Sequence, residues 1–193
     1  YPRAGISLKE LNNKQEELLF KLLRSSLSET GYSKTKQIIS LEEVLAELSG
    51  NSSYRDPEQY YVAFYGHPEK DELWSWAFQG HHLSLNFTVS EGKMTVAPRF
   101  MGANPATINS GNRKGERTLA KEEDLGLKLT NSLPAVQQEK AIFSERAPYD
   151  IVTGTSREVD PLKPVGIKLQ EMSAANQQLL LQLIDEYLAT MPD

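Results

Sequence analysis

Residues 60–98 read YYVAFYGHPEKDELWSWAFQGHHLSLNFTVSEGKMTVAP, and the alternation in this stretch decides the fold. It holds all three histidines and both tryptophans of the chain. Tyr60 to Tyr65 is rich in aromatic, strand-forming residues, and His67-Pro68-Glu69-Lys70-Asp71 makes a turn. Leu73 to Gln79 alternates, with Trp74, Trp76 and Phe78 on one side and Ser75, Ala77 and Gln79 on the other. His82 to Ser90 alternates more strictly, and Glu91-Gly92 is a hairpin turn into Lys93 to Ala97. About four strands joined by short connections predict an antiparallel meander, its apolar face turned to helices.

Helical patterns flank the strands. Residues 5 to 31 read as a capped amphipathic helix: Ser7 and Glu10 have capping-box spacing, Asn12 caps the main helix, and Gly31 supplies a left-handed stop. Leu11, Leu18, Leu19, Leu22, Leu23 and Leu27 fall on one face. A second helix carries Ile38, Leu41, Val44, Leu45 and Leu48 and ends at Gly50, before a polar loop over 51–57. After Pro98 the texture changes: Phe100 to Arg117, FMGANPATINSGNRKGER, is a long irregular loop. Helical patterning returns at 119–133 and 135–143, and 147–164 is again loop-like. The fold class is α+β, expected as a single domain over 1–193.

The end of the chain resembles its beginning. At an offset of 161, Gly5, Ile6, Leu8, Glu10, Leu18, Leu19, Leu22 and Leu27 match Gly166, Ile167, Leu169, Glu171, Leu179, Leu180, Leu183 and Leu188. Two leucine-rich helices can look alike by chance, but that does not account for the Gly-Ile-x-Leu-x-Glu lead-in. The reading is an internal duplication of 5–27 at 166–188, a first repeat followed by the first helix of a second.

The totals exclude several function classes. With 193 residues and a net charge of −5, the chain is of ordinary domain size and lacks the basic balance of a nucleic-acid binder. No apolar run is long enough to span a membrane. There is no cysteine, so disulfide and thiolate chemistry are out. The chain opens at Tyr1 without an initiator Met, and removal of a leader from an exported protein is one reason for that; the expected location is extracytoplasmic, periplasmic or secreted.

The chemistry-bearing residues crowd around Gly80-His81-His82-Leu83-Ser84-Leu85-Asn86. On a regular strand His82, Ser84, Asn86 and Thr88 form one polar row, opposite Leu83, Leu85, Phe87 and Val89 with His81 at their head. This row is either the solvent face of a half-covered sheet or the lining of a pocket closed by the Phe100–Arg117 loop. In the second case His82 is the catalytic base or, with His81, a metal ligand, while Ser84 and Asn86 orient a ligand. Adjacent strand residues point to opposite sides, so both imidazoles reach one ion only if Gly80 distorts the strand entrance. His67 is expected at the surface. A divalent metal is a possible cofactor, though no metal-binding spacing occurs. Asn104 and Arg117 on the loop and Trp76 on the sheet are further ligand-binding candidates, for a small molecule, a carbohydrate or a peptide. Trp76 is either core or a stacking platform for a ring. Glu122-Glu123-Asp124 suits the start of a helix. No phosphate-binding loop, dinucleotide fingerprint or nucleophile elbow is present.

Several strings carry a family resemblance: Leu-Ser-x-x-Gly-Tyr at 27–32, Trp74-Ser75-Trp76 leading into Gly80 to Asn86, Pro98 to Ala106 with its Gly-Ala-Asn-Pro-Ala, Gly115 to Leu119 with Glu122 to Asp124, and 177–187. The chain resembles a bacterial family of unknown function, the domain numbered 3500. The resemblance covers nearly the whole chain and implies no established activity. It implies export, as many such proteins look exported, and a further sheet region with its own paired histidines beyond the part seen here. The function expected is a ligand or metal site around His82, either in a metal-dependent enzyme of hydrolysis or oxidation or in a non-catalytic binding module.

Overall fold

The alternation over 60–98 becomes a meander. In the computed structural model, which describes residues 2–154, 156, 158 and 161–192, five strands lie in the order β1-β2-β3-β4-β5, all antiparallel. They are β1 Ile6–Ser7, β2 Tyr61–Tyr65, β3 Leu73–Gly80, β4 Leu83–Ser90 and β5 Lys93–Met101. The expected four strands are therefore five: Ile6–Ser7, read as part of a helix, pairs with Val62 and Tyr61. Two residues are too few to show a period, which is why sequence pattern does not reveal them. Glu91 and Gly92 both have positive φ, 52° and 73°, as a two-residue hairpin loop between twisted strands requires.

The chain forms two compact units. The first comprises Tyr1–Ala120 with Tyr187–Asp193. A 3-10 turn at Leu8–Glu10 precedes α1 Asn13–Ser26, and α2 follows at Glu29–Ser49. Asn12 caps α1 by accepting from the Gln15 N–H at 3.0 Å, as its spacing predicts. Gly31 is not the stop. Ser28 caps α2 by accepting from the Gly31 N–H at 3.0 Å, so Gly31 lies in the first turn of that helix. Its lack of a side chain serves close packing: a Cβ there would overlap the Thr190 carbonyl.

Trp76, Phe78, Leu83, Leu85 and Phe87 on one sheet face pack with Leu19, Leu23 and Leu27 of α1, Ile38 of α2, and Tyr60 and Val62. Each fully buried Leu or Phe contributes roughly 1.5–3 kcal/mol from its removal from water. On the far side of the register, β4 shifts against β5 between Leu85 and Phe87. The outermost strand carries Pro98, which has no N–H to offer. Arg99 beside it donates to the Tyr187 carbonyl at 2.8 Å and to the Thr190 hydroxyl.

The second unit comprises Lys121–Glu186. It holds α3 Ala120–Ser132 from its second residue on, α4 Ala135–Ala141, a 3-10 turn at Leu169–Glu171 and most of α5 Ala174–Leu188. Buried Asn176 accepts from the Ser132 hydroxyl at 2.8 Å and donates to the Ser132 carbonyl at 3.3 Å. Lys140 pairs with Glu171 at 2.6 Å. The described residues of 147–164 carry neither helix nor strand, as their composition predicts. Among the described residues no helix is long and apolar enough to cross a membrane.

Candidate functional site

Gly80 pairs with Leu83, so His81 and His82 are not strand residues but the two-residue turn between β3 and β4. This overturns the expected row. Residues i and i+2 share a face only on extended backbone, and His82 has φ 57°, in the left-handed region. His82 therefore does not align with Ser84 and Asn86. Those two face Gln79 across the sheet: the Gln79 amide donates to Asn86 Oδ1 at 3.2 Å, and Asn86 Nδ2 donates to the Pro98 carbonyl at 2.8 Å and to Ser84 Oγ at 3.3 Å. The Asn86 amide is committed on both sides to holding β3, β4 and β5 together.

The turn is fixed at both carbonyls. The Tyr60 hydroxyl donates to the His81 carbonyl at 2.8 Å, and the Gly102 N–H donates to the His82 carbonyl at 2.8 Å. Tyr60 reaches that position because its ring lies against Gly80, where any Cβ would collide with it. Burial, with the nearby Glu42 charge, pushes the Tyr60 phenol far above its ordinary value, so it remains a donor.

His81 meets a carboxylate that comes from α2. Its Nδ1 makes a short hydrogen-bonded contact with Glu42 Oε1, and the Glu42 side chain is only 5% exposed. A charge in that position needs a partner, and the imidazole provides it. Arg55, from the loop after α2, places its guanidinium nitrogen 3.4 Å from Nδ1 and 3.3 Å from Nε2 of the same ring. With Nδ1–H given to Glu42, Nε2 accepts from Arg55. The same guanidinium lies over Tyr54, 4.8 Å from the ring centroid.

His82 sits beside this group. Its ring is 4.2 Å from the His81 ring at 66°, and 6.4 Å from Phe100 at 30°. Burial, then the neighbouring His81, lowers its pKa; Glu42 pulls the other way and Arg55 lowers it further. At neutral pH His82 is an uncharged imidazole, able to take a proton or donate a lone pair.

Trp76 is 1% exposed and stacks on Phe87, with centroids 4.0 Å apart, so it belongs to the core and offers no stacking platform. The loop after β5 meets the site at its start, through Gly102. Farther on, partly buried Ala103 and buried Ile108 pack on Leu41 and Val44 of α2, and Arg113 donates to the Ser40 carbonyl at 3.3 Å. The loop is anchored along α2 rather than hung as a free lid. Asn104 and Arg117, near its two ends, are half-buried. His67 is exposed in its turn, as expected. Among the described residues no three His, Cys, Asp or Glu side chains converge as a metal shell. Glu42, Arg55 and Tyr60 are the site residues that motif reading misses. One signal for Glu42 was present: it falls four residues after Ile38 and seven after Thr35, on the buried stripe of α2, where a carboxylate needs a partner.

These features define an α+β protein whose antiparallel meander presents a histidine-pair turn to a helix-borne carboxylate. The chain belongs to the family described as "Protein of unknown function (DUF3500)", whose model matches residues 1–193. No curated protein and no solved structure matches it.

Proposed function

We propose that the His81–His82 turn is the ligand site of this protein and takes a small oxyanion, a carboxylate or a similar group. Arg55 supplies the charge that attracts it and His82 the imidazole that exchanges a proton with it. Glu42 holds His81 in place between the two. The observation that carries this reading is the left-handed histidine next to the buried Glu42–His81 pair. A non-glycine residue in that conformation costs on the order of 1 kcal/mol, and a hairpin of this kind needs no imidazole there. The guanidinium against the ring favours an anion over a metal cation, since a second positive charge at that distance is repelled. An enzyme built on this site would work by proton transfer at His82.

Histidine-detected NMR tests the reading with acetate and phosphate as probes and zinc as the competing ligand. The anions should move the His82 resonances in the wild type and leave the Arg55→Leu variant unmoved. No response to either anion, or stoichiometric zinc binding that is lost in His82→Asn, would overturn it.

We also propose that the protein works outside the cytoplasm. The likeness to a family many of whose members look exported supports this, and the cysteine-free composition is compatible with it. Fractionation of cells expressing the native gene checks the location.

A further inference from the structure

The rim of the His81–His82 turn continues onto the sheet face turned away from α1. Gln79 on β3 pairs with Ser84 on β4, and Ser84 pairs with Phe100 on β5, so the three side chains stand in one row across the sheet. Their neighbours along β4, Leu83 and Leu85, point the other way into the core. On the side of the row, Gln79, Ser84 and Asn86 are half-buried and Phe100 is 39% exposed.

The polar members of this row are held in place. Gln79 Nε2 donates to Asn86 Oδ1 at 3.2 Å, and Asn86 Nδ2 donates to Ser84 Oγ at 3.3 Å and to the Pro98 carbonyl at 2.8 Å. These bonds leave the Gln79 amide oxygen and the Ser84 hydroxyl hydrogen without a partner among the described residues. An acceptor and a donor are thus set side by side, their heavy atoms positioned before a ligand arrives.

Phe100 joins this pair to the anion end. Its ring lies 6.4 Å from the His82 ring, with 30° between the planes. Gly102 keeps the approach to both rings clear, since a Cβ there would crowd His82 Nδ1 and Phe100 Cζ alike. A ligand that starts at Arg55 and His82 therefore meets a positive charge, an imidazole, a partly open aromatic ring and then an acceptor–donor pair. Acetate or phosphate uses only the first two. A molecule that uses all of them bears a carboxylate on a ring that has a C–H face and hydroxyls at its edge.

We propose that the ligand of the His81–His82 turn is a sugar acid, a hexuronate, an assignment that rests on the turn being an anion site. Its carboxylate lies at Arg55 and His82, the C–H face of its ring on Phe100, and its hydroxyls on Ser84 and Gln79. A flat aromatic acid would cover Phe100 but leave the polar pair unmatched, and a neutral sugar would leave Arg55 unanswered.

Titration calorimetry with acetate, D-glucuronate, D-galacturonate, D-glucose and benzoate tests this. In the wild type one of the two hexuronates should bind at least about tenfold more tightly than acetate, glucose or benzoate, the gain expected of a ring contact and two hydrogen bonds. In Phe100→Ala the hexuronate-to-acetate affinity ratio should fall to within about twofold of one, and Phe100→Tyr, which keeps the ring, should retain it. Ser84→Ala should lower the same ratio several-fold. Hexuronates no tighter than acetate, benzoate or glucose as tight as either hexuronate, or a ratio that survives both Phe100→Ala and Ser84→Ala would overturn the sugar-acid assignment and leave the anion site standing. Silence toward acetate and both hexuronates would remove the anion site itself, and the assignment with it.

Discussion

Gly102 and His82 are built around each other. The Gly102 N–H holds the His82 carbonyl at 2.8 Å, and a Cβ on Gly102 would stand 2.8 Å from His82 Nδ1 and 3.0 Å from the Phe100 ring. The niche for the imidazole is thus cut by the absence of a side chain. Gly102→Val should push His82 toward water, return its titration toward the ordinary histidine value of 6.5, and cost roughly 1–3 kcal/mol of stability through overpacking. NMR titration of the His82 ring measures the first effect and urea unfolding the second. An unchanged His82 titration would show that the niche does not depend on Gly102.

Glu42 gives a second handle on the same group. Glu42→Gln keeps the size of the side chain but removes the charge that the His81 ring answers. With His81 itself one-third exposed, water replaces part of what is lost, and the expected cost is about 1–2 kcal/mol. Denaturant unfolding at neutral pH checks it, and response of the His82 resonances to acetate in the same variant reports whether His81 still holds its place.

The His82 imidazole also sets a pH dependence. Its folded-state pKa lies below the unfolded value of 6.5, so between the two the unfolded chain binds more protons than the folded one. Stability therefore rises with pH through that window and is lost as pH falls below about 6.5. His82→Asn, which tolerates the left-handed conformation, should flatten this limb of the curve. Parallel slopes for wild type and variant between pH 5 and pH 7 would sink the assignment.

The sheet was legible in the sequence because its strands alternate over whole spans and its turns use the expected residues, as at Glu91-Gly92. Where reading failed, a tertiary contact had taken over the role of a local signal. Gly31 looked like a helix stop, yet it is glycine because the Thr190 carbonyl packs on it. His82 looked like the start of a strand, yet the pairing of Gly80 with Leu83 makes it a turn. The histidine pair pointed to the right stretch, but its partners come from α2 and the following loop, 39 and 26 residues away, and no local pattern encodes that meeting.

Gly31 offers a test with a definite sign. In a helix free of neighbours, Gly→Ala gains up to about 1 kcal/mol. Here Gly31→Ala should instead destabilise by roughly 1–3 kcal/mol, because the new methyl displaces Thr190. The Met191 amide, which donates to the Leu188 carbonyl at 2.9 Å, should exchange faster in the variant. Thermal unfolding and exchange at that amide read the two effects.

Pro98 has a consequence beyond the fold. It lies in the strand at the margin of the sheet, and the register slips nearby. An uninterrupted margin would offer a template on which further molecules could stack without limit, and a residue with no amide hydrogen breaks that template in its middle. Among the described residues β5 is a long strand with a neighbour on only one side, and its proline and register slip make it a poor template for such stacking.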